Sequence, residues 1–256
     1  MTKLPISVCM ISGAEAHRIG KALASVAEWT SEIVIVLNQE VTDGTDAAAA
    51  AFGAKIFREP WRGFIAQLNS VADKASQPWL LRLDADEVVS DALRQEIIEL
   101  FAPTPAGVAY NFPRRSFYLG RWIGHGDWYP DRCTRLWAKG RARTGGVDPH
   151  AELLVDGPVT KLRHDLLHYS NDSIDQQILK IVPFSSDFAR HRLQNGRSAD
   201  VADLAFRPLW RFFRSYVLRR GFLDGWQGFY IASLTAFSTL TRYVKVLEAE
   251  KKSSEK

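Results

Sequence analysis

The sequence predicts an α/β protein: a mostly parallel sheet flanked by helices, followed by a helical C-terminal extension. Three observations carry this. Four short aliphatic runs alternate with helically spaced segments over the first hundred residues. The fourth run, Trp79-Leu80-Leu81-Arg82-Leu83, ends abruptly in Asp84-Ala85-Asp86-Glu87. From Phe206 onward, aromatic and basic residues interleave. With 256 residues, 46% of them hydrophobic, the chain can bury a sizeable core.

Ile6 to Ile11 reads as a buried strand that Ser12-Gly13 breaks. Ala16 to Trp29 then has helical spacing, with Ile19, Leu23, Val26 and Ala27 on one face. Ile33 to Leu37 is a β-branched second strand. Thr42-Asp43-Gly44-Thr45 is a turn and cap into a helix over 47–52. Lys55-Ile56-Phe57 is a third strand, and Phe64, Leu68 and Val71 form the apolar stripe of a third helix.

The run at 79–83 is the fourth strand. If it continues through the acidic residues, Asp84 and Asp86 point the same way at its carboxyl end. Open α/β sheets bind ligands at those ends. Two adjacent carboxylates repel, and a divalent cation with oxygen ligands would relieve them. The alternative is a solvated acidic turn before a helix, with Ser90 as N-cap and Asp91 in the first turn.

Other schemes are excluded. No G-x-G-x-x-G follows the first strand, and no G-x-x-x-x-G-K-[ST] is present. Cys9 and Cys133 lack metal-site spacing and predict a reducing compartment. No secretory leader is expected, and no run reaches the roughly 20 apolar residues of a membrane span. The expectation is a cytoplasmic protein.

From Pro103 the alternation stops. Short β-like stretches at 108–112, 114–119 and 134–137 follow, separated by loops rich in Gly, Trp, Tyr and Arg. Trp137 reads as core; Trp122, Trp128 and Tyr129 fit either core or an aromatic ligand-binding face. Ser173 to Arg192 is helical, with an interruption expected at Pro183. Residues 205–256 hold ten Lys/Arg against four Asp/Glu, a net of +6, whereas the other 204 residues net −2. This tail fits a core helix with a basic solvent face or an interfacial helix, Trp/Phe on one face and Arg on another, at an anionic membrane surface; no nucleic-acid motif is present. Residues 248–256 are expected to be a frayed end.

The ordered set of Glu15, Thr42-Asp43-Gly44-Thr45, Gly63-Phe64-Ile65-Ala66-Gln67-Leu68-Asn69 and Leu83-Asp84-Ala85-Asp86-Glu87 resembles glycosyltransferase family 2, with its GT-A fold. Within that family it is similar to bacterial lipopolysaccharide core glycosyltransferases. The likeness continues through Phe117 to Trp122, Gly126 to Asp131, Arg207 to Phe213 and Arg220 to Gly228. It implies three segments: 1–102 for the nucleotide sugar, 103–172 for the acceptor side, and 173–256 for membrane association.

What the resemblance implies is inverting, metal-dependent transfer of a hexose from a nucleotide diphosphate sugar, a UDP-sugar, to a lipid-linked oligosaccharide, the lipid A–core acceptor. The site would be peripheral on the inner face of the cytoplasmic membrane. Glu15, Asn38, Asp43, Gln67 and Asp84 would bind the donor. Asp86 would hold Mg²⁺ or Mn²⁺, with His168 joining it. A cation on the leaving diphosphate stabilises charge that develops in the transition state.

Arg121, Trp122, Trp128 and His150 would bind the acceptor, and Arg114, Arg115, Arg132 and Arg135 are candidates to face its phosphates. An inverting transferase needs one carboxylate base. Glu152 is the first candidate, with Asp127 and Asp148 behind it; on a strand, His150 and Glu152 share a face. Asn38 stands where relatives are acidic, Leu68 where they often carry Lys, and Glu152 is displaced by one from a His-Glu pair. Those departures motivate a rival reading, a catalytically silent nucleotide-sugar-binding or membrane-scaffold protein; a third reading keeps the transferase but gives it a polyprenyl phosphate or a capsule glycan as acceptor.

Overall fold

The computed structural model describes residues 2–148, 150–170 and 173–254. The side chains of His150, Ser253 and Ser254 lie outside the described set. The chain forms two compact units, one of residues 1–114 and 132–169, the other of residues 115–131 and 170–256.

The first unit opens with the expected alternation: β1 (Leu4–Ser12), α1 (Ile19–Ala24), β2 (Thr30–Asn38), α2 (Thr45–Ala50), β3 (Lys55–Glu59), α3 (Phe64–Lys74) and β4 (Trp79–Arg82). β1 pairs in parallel with both β2 and β4, and β2 in parallel with β3. β1 and β2 are buried on both faces, which explains their unbroken aliphatic runs. Helix α1 is shorter than its periodicity predicts. Ser25 ends it by returning its hydroxyl to Ala22 O at 2.6 Å, and Trp29 Nε1 then donates to Ser25 O at 2.8 Å.

β5 (Glu87–Val89) and α4 (Asp91–Phe101) follow, and Ser90 caps α4 as expected by accepting from Leu93 N at 3.1 Å. Then come β6 (Ala109–Tyr118), β7 (Arg121–Trp122), β8 (Asp131–Ala138), β9 (Ala142–Val147), β10 (His150–Val155), β11 (Val159–Lys161) and β12 (Leu166–Tyr169). The sheet order is β3-β2-β1-β4-β8-β6-β12-β5, with β4 and β8 antiparallel, while β9 and β10 form a separate hairpin. Ile6, Val8, Met10, Leu23, Ile35, Leu81 and Phe112 anchor the larger core cluster; Cys9, Val34, Val71 and Trp137 anchor the second.

In the second unit, Tyr118, Ile123 and Ile231 form the buried nucleus. Helix α5 (Ile174–Gln194) is continuous through Pro183 rather than interrupted. Lys245 Nζ donates to Val182 O at 2.8 Å beside the proline, and Ser185 returns its hydroxyl to Val182 O at 3.0 Å. Helix α6 (Val201–Phe213) runs into a π-helical turn at Arg214–Leu218 and a 3-10 turn at Gly221–Asp224; α7 (Gly225–Ser254) follows. Thus the C-terminal segment expected to fray is helical to Ser254, with Lys252 Nζ 2.6 Å from Glu248. Among the described residues no helix is long and apolar enough to cross a membrane.

Candidate functional site

The order β3-β2-β1-β4 means that successive strands leave β1 first on one side and then on the other. Such a switch point opens a crevice at the carboxyl ends of the strands. A cleft of about 380 Å3 lies there, lined by Ile11, Ser12 and Gly13 at the end of β1, by Glu15 and Arg18, by Trp61 and Phe64, by Arg82 at the end of β4 and by Asp84 and Asp86 beyond it.

The acidic stretch is a turn and not a continuation of the strand, which corrects the i, i+2 strand argument. β4 ends at Arg82. Glu87 N donates to Asp84 O at 3.0 Å, and Asp84 N donates back to Glu87 Oε2 at 3.1 Å. The two aspartates reach the cleft because the turn is closed twice over.

The three carboxylates divide in role. Glu87 is fully buried, and Arg135, itself 5% exposed, places Nη2 2.7 Å from both Glu87 Oε1 and Asp84 Oδ2. Arg114 adds a contact to Glu87 at 3.3 Å, and Arg82 one to Asp84 at 3.4 Å. Burial alone would raise the Asp84 pKa, but the charges of Arg135 and Arg82 outweigh it and hold the carboxyl well below its usual range. Asp86 has looser company, with His168 Nε2 at 3.3 Å and Arg18 Nη1 at 3.7 Å from Oδ2. Burial raises its pKa too, and the hydrogen bond and charge of His168 bring it below the ordinary value.

His168 arrives through antiparallel pairing of β12 with β5, in register with Glu87, and Tyr169 N donates to Asp86 O at 2.8 Å. Asp86 and His168 therefore offer a carboxylate oxygen and an imidazole nitrogen side by side. Among the described residues no three His, Cys, Asp or Glu side chains converge as a ready-made cage. That donor set suits a hard divalent cation held by one or two protein groups and completed by phosphate oxygens.

Glu15 lines the cleft and is gripped by Arg18 through Nε and, at 2.7 Å, Nη2. Asp43 accepts from Thr45 Oγ1 at 2.6 Å, Thr45 N at 3.0 Å and Ala16 N at 3.0 Å; the Thr45 hydroxyl is the main cause of its lowered pKa. It ties the loop after β1 to the start of α2. Asn38 ends β2, where its Oδ1 accepts from Glu40 N at 3.3 Å. Gln67 is buried, with Nε2 donating to Pro60 O at 2.7 Å, so it supports the loop carrying Trp61. Its Oε1 has no hydrogen-bond partner among the described residues.

Asp148 accepts from Ile65 N at 3.0 Å. It caps α3, whose own N-cap, Gly63, has no side chain to do so. Gly63 has φ +96°, and a Cβ there would collide with the Asp148 carboxylate. The hairpin that supplies Asp148 is docked on α3 by Asn69, which bonds Thr144 O and N at 2.9 and 3.0 Å. Glu152 stands on the exposed face of β10, while Leu153 and Val155 pack inward. The backbone alternation puts His150 and Glu152 on one face as expected; the His150 side chain lies outside the described residues.

In the second unit, Asp127 is enclosed by Arg219, Arg214 and Arg211 at 3.2, 3.3 and 3.6 Å. It is committed as their counter-ion. Arg121 donates to Leu223 O at 2.8 Å, Trp122 packs on Phe117 with centroids 5.1 Å apart, and Trp128 on Tyr118 at 4.9 Å. Arg132 bonds Leu162 O at 3.0 Å, and the Arg115 guanidinium lies 6.0 Å from the Tyr129 ring. The five arginines considered for an acidic acceptor all have internal partners.

Sequence reasoning missed Arg18, Trp61, Arg82 and the cleft role of Phe64. Phe64, expected in the apolar stripe of α3 with Leu68 and Val71, is 41% exposed where those two are buried, and meets Trp61 edge-to-face at 4.9 Å. The i, i+3 spacing of Glu15 and Arg18 was a usable signal. Nothing in the local sequence marks Arg135 as the partner of an acid 48 residues away.

The family model for glycosyl transferase family 2 matches residues 7–159. An uncharacterized glycosyltransferase of Rickettsia felis is 31% identical over 265 residues, covering 97% of this chain and 91% of the other. Lipopolysaccharide core biosynthesis glycosyltransferase LpsC of Rhizobium meliloti is 31% identical over 255 residues, covering 94% of each. Mannosyltransferase PcManGT from Pyrobaculum calidifontis, solved with GDP-Man and Mn2+, superposes with TM-score 0.55 at 12% identity, over 96% of this chain and 88% of that one. S. aureus TarS 1-349 in complex with UDP-GlcNAc superposes with TM-score 0.50 at 10% identity, over 98% and 92%. At those identities the structures speak to the fold alone.

Proposed function

The chain belongs to glycosyl transferase family 2, a glycosyltransferase with the GT-A α/β fold, and from that premise we propose that it transfers a hexose, with inversion, from a nucleoside diphosphate sugar to a lipid A–core oligosaccharide. One observation carries the reading. At the switch point of the sheet, Asp86 faces an open cleft with His168 beside it, while the neighbouring acids are already occupied by arginines.

A divalent cation at Asp86 and His168 would neutralise charge on the leaving diphosphate. The chain's own groups do the rest. Trp61 and Phe64 give the cleft an aromatic edge suited to a base or sugar face. Arg18, bridging Glu15 and Asp86, adds positive charge beside the place a diphosphate would take. Glu152 is the base that this reading puts on the acceptor hydroxyl. The acceptor class is supported by the likeness to LpsC, and a UDP-sugar donor is the first to test.

Attachment to an anionic membrane face belongs to the same reading. Phe206, Leu209, Trp210, Leu218 and Trp226 are each at least 55% exposed, in a segment that also carries Arg207, Arg211, Arg214, Arg219 and Arg220.

The test is a thermal-shift panel of UDP-, GDP-, ADP- and CMP-sugars with Mn²⁺ or EDTA, paired with transfer assays of the wild type and Asp86→Ala. One nucleotide class should stabilise the protein in a Mn²⁺-dependent way, and Asp86→Ala should abolish transfer. Equal binding in EDTA together with normal transfer by Asp86→Ala would remove the metal from the scheme. Transfer to a polyprenyl phosphate in preference to purified lipid A–core would replace the acceptor.

A further inference from the structure

The second unit contains a cavity of about 190 Å3 among α5, α6, α7 and Trp128, room for several waters at roughly 30 Å3 each. Among the described residues its lining includes the cations Arg211 and Arg242 and no Asp or Glu. Ile181, Phe184, Ile231 and Leu234 make the rest of the wall largely apolar.

The two guanidiniums are poorly compensated among the described residues. The acid nearest Arg211 is Asp127 at 3.6 Å, which also serves Arg214 and Arg219. Arg242 lies over the Phe188 ring at 5.6 Å, and its Nε is sealed from solvent with no hydrogen-bond partner among the described residues. Burial and the like charge of Arg211 both work against the Arg242 charge. A buried donor without an acceptor is costly, and the like charge of Arg211 compounds the cost. A ligand with several anionic oxygens removes both defects, since guanidinium forks match phosphate geometry.

We propose that this cavity binds the phosphoryl group of an organic phosphate, with Arg211 and Arg242 as its ligands and the apolar wall taking the adjoining hydrocarbon. The phosphate can come from a lipid headgroup or from a free phosphate. The inference stands apart from the donor cleft, because every lining residue belongs to the second unit.

The full-length protein is titrated with dihexanoyl phosphatidic acid below its micellar concentration, dihexanoyl phosphatidylcholine, inorganic phosphate and hexanoate. Melting temperature and calorimetric affinity are read. Phosphatidic acid should bind and stabilise, and the zwitterionic lipid and hexanoate should not. Arg242→Gln should weaken binding about tenfold or more, as expected for loss of a charged hydrogen bond. Arg242→Lys should keep part of it.

Without ligand, Arg242→Gln should melt no lower than wild type, since a like charge is removed. Ser238→Phe, which fills the cavity without altering charge, should also abolish binding, and it carries the test if Arg242→Gln fails to fold. Nucleotide binding should be unchanged in both variants. Inorganic phosphate binding as tightly as the lipid supports the phosphoryl site and assigns it to free phosphate. The proposal is overturned if neither phosphate binds, if hexanoate binds as well as phosphatidic acid, or if neither substitution alters affinity.

Discussion

At the amino ends of β1 and β2, the buried Glu32 accepts from the Ser7 hydroxyl, from Lys55 Nζ at 2.7 Å and from Ser76 N at 2.7 Å. At the carboxyl ends of the same sheet, Asp86 has one imidazole at 3.3 Å and one guanidinium at 3.7 Å. Both are acids in an α/β scaffold, and the difference lies in satisfaction. Glu32 is closed into a network that fixes strand ends. Asp86 keeps acceptor capacity facing a cleft, and a carboxylate with spare capacity is what a cation or an incoming ligand can use. Glu87 sits directly behind Asp86 with the amino-end character, fully buried and arginine-bound.

The sharpest way to break that distinction is Glu87→Gln. Removing one partner of a buried pair costs about 3–5 kcal/mol, and urea unfolding should show a loss of that size. A loss under about 1 kcal/mol would mean that Glu87 is not the structural member of the acidic turn.

Asp86→Asn should behave in the opposite way. It keeps the shape and a hydrogen-bonding oxygen and loses only the partly exposed pairing with His168 and Arg18, so the stability loss should stay near or below about 1 kcal/mol, well under that of Glu87→Gln. Transfer should fall by about 10²–10³, or roughly 3–4 kcal/mol of transition-state stabilisation. A variant that is destabilised yet active would erase the contrast between the two ends.

The scaffold was legible because burial on both faces writes itself as aliphatic runs, as in Ile33 to Leu37, and because Ser90 announces a cap locally. The site was half legible. Asp84-Ala85-Asp86 was visible as an acid step at a strand end, but its turn geometry depends on Glu87 reaching back to Asp84 N. The sorting of acids into satisfied and available depends on Arg135, Arg114 and His168, brought together only by β6, β8 and β12. Pro183 misled for a related reason, since the helix around it is supported by Lys245 from α7. Local propensity is a weak prior where tertiary partners brace a helix.

Acid titration sharpens the amino-end side of the comparison. Burial alone would raise the Glu32 pKa, but Lys55, Ser7 and Ser76 together lower it from 4.5 to about 2. A group depressed in the folded state contributes stability that is complete above its unfolded pKa and is lost as pH falls toward the folded one. Glu32 should therefore contribute about 1–3 kcal/mol at neutral pH, and that contribution should vanish between pH 4.5 and about 2. Glu32→Gln should lack this step in a pH series of unfolding midpoints. An unchanged step would assign acid sensitivity elsewhere.

Asp148 gives the smallest and most discriminating effect, because it stands on the surface and still accepts a backbone hydrogen bond from Ile65 at the start of α3. A satisfied cap predicts that Asp148→Ala costs about 0.5–2 kcal/mol, seen as a modest drop in melting temperature with the pH profile of transfer unmoved. A general base predicts the reverse: near-normal stability, a fall in transfer rate of about 10²–10⁴, and loss of the acidic limb of that profile. Glu152→Gln, measured alongside, should show the second pattern. If the two variants exchange behaviours, hydrogen-bond satisfaction does not sort the acids of this fold into structural and reactive ones, and the distinction drawn between Glu32 and Asp86 fails with it.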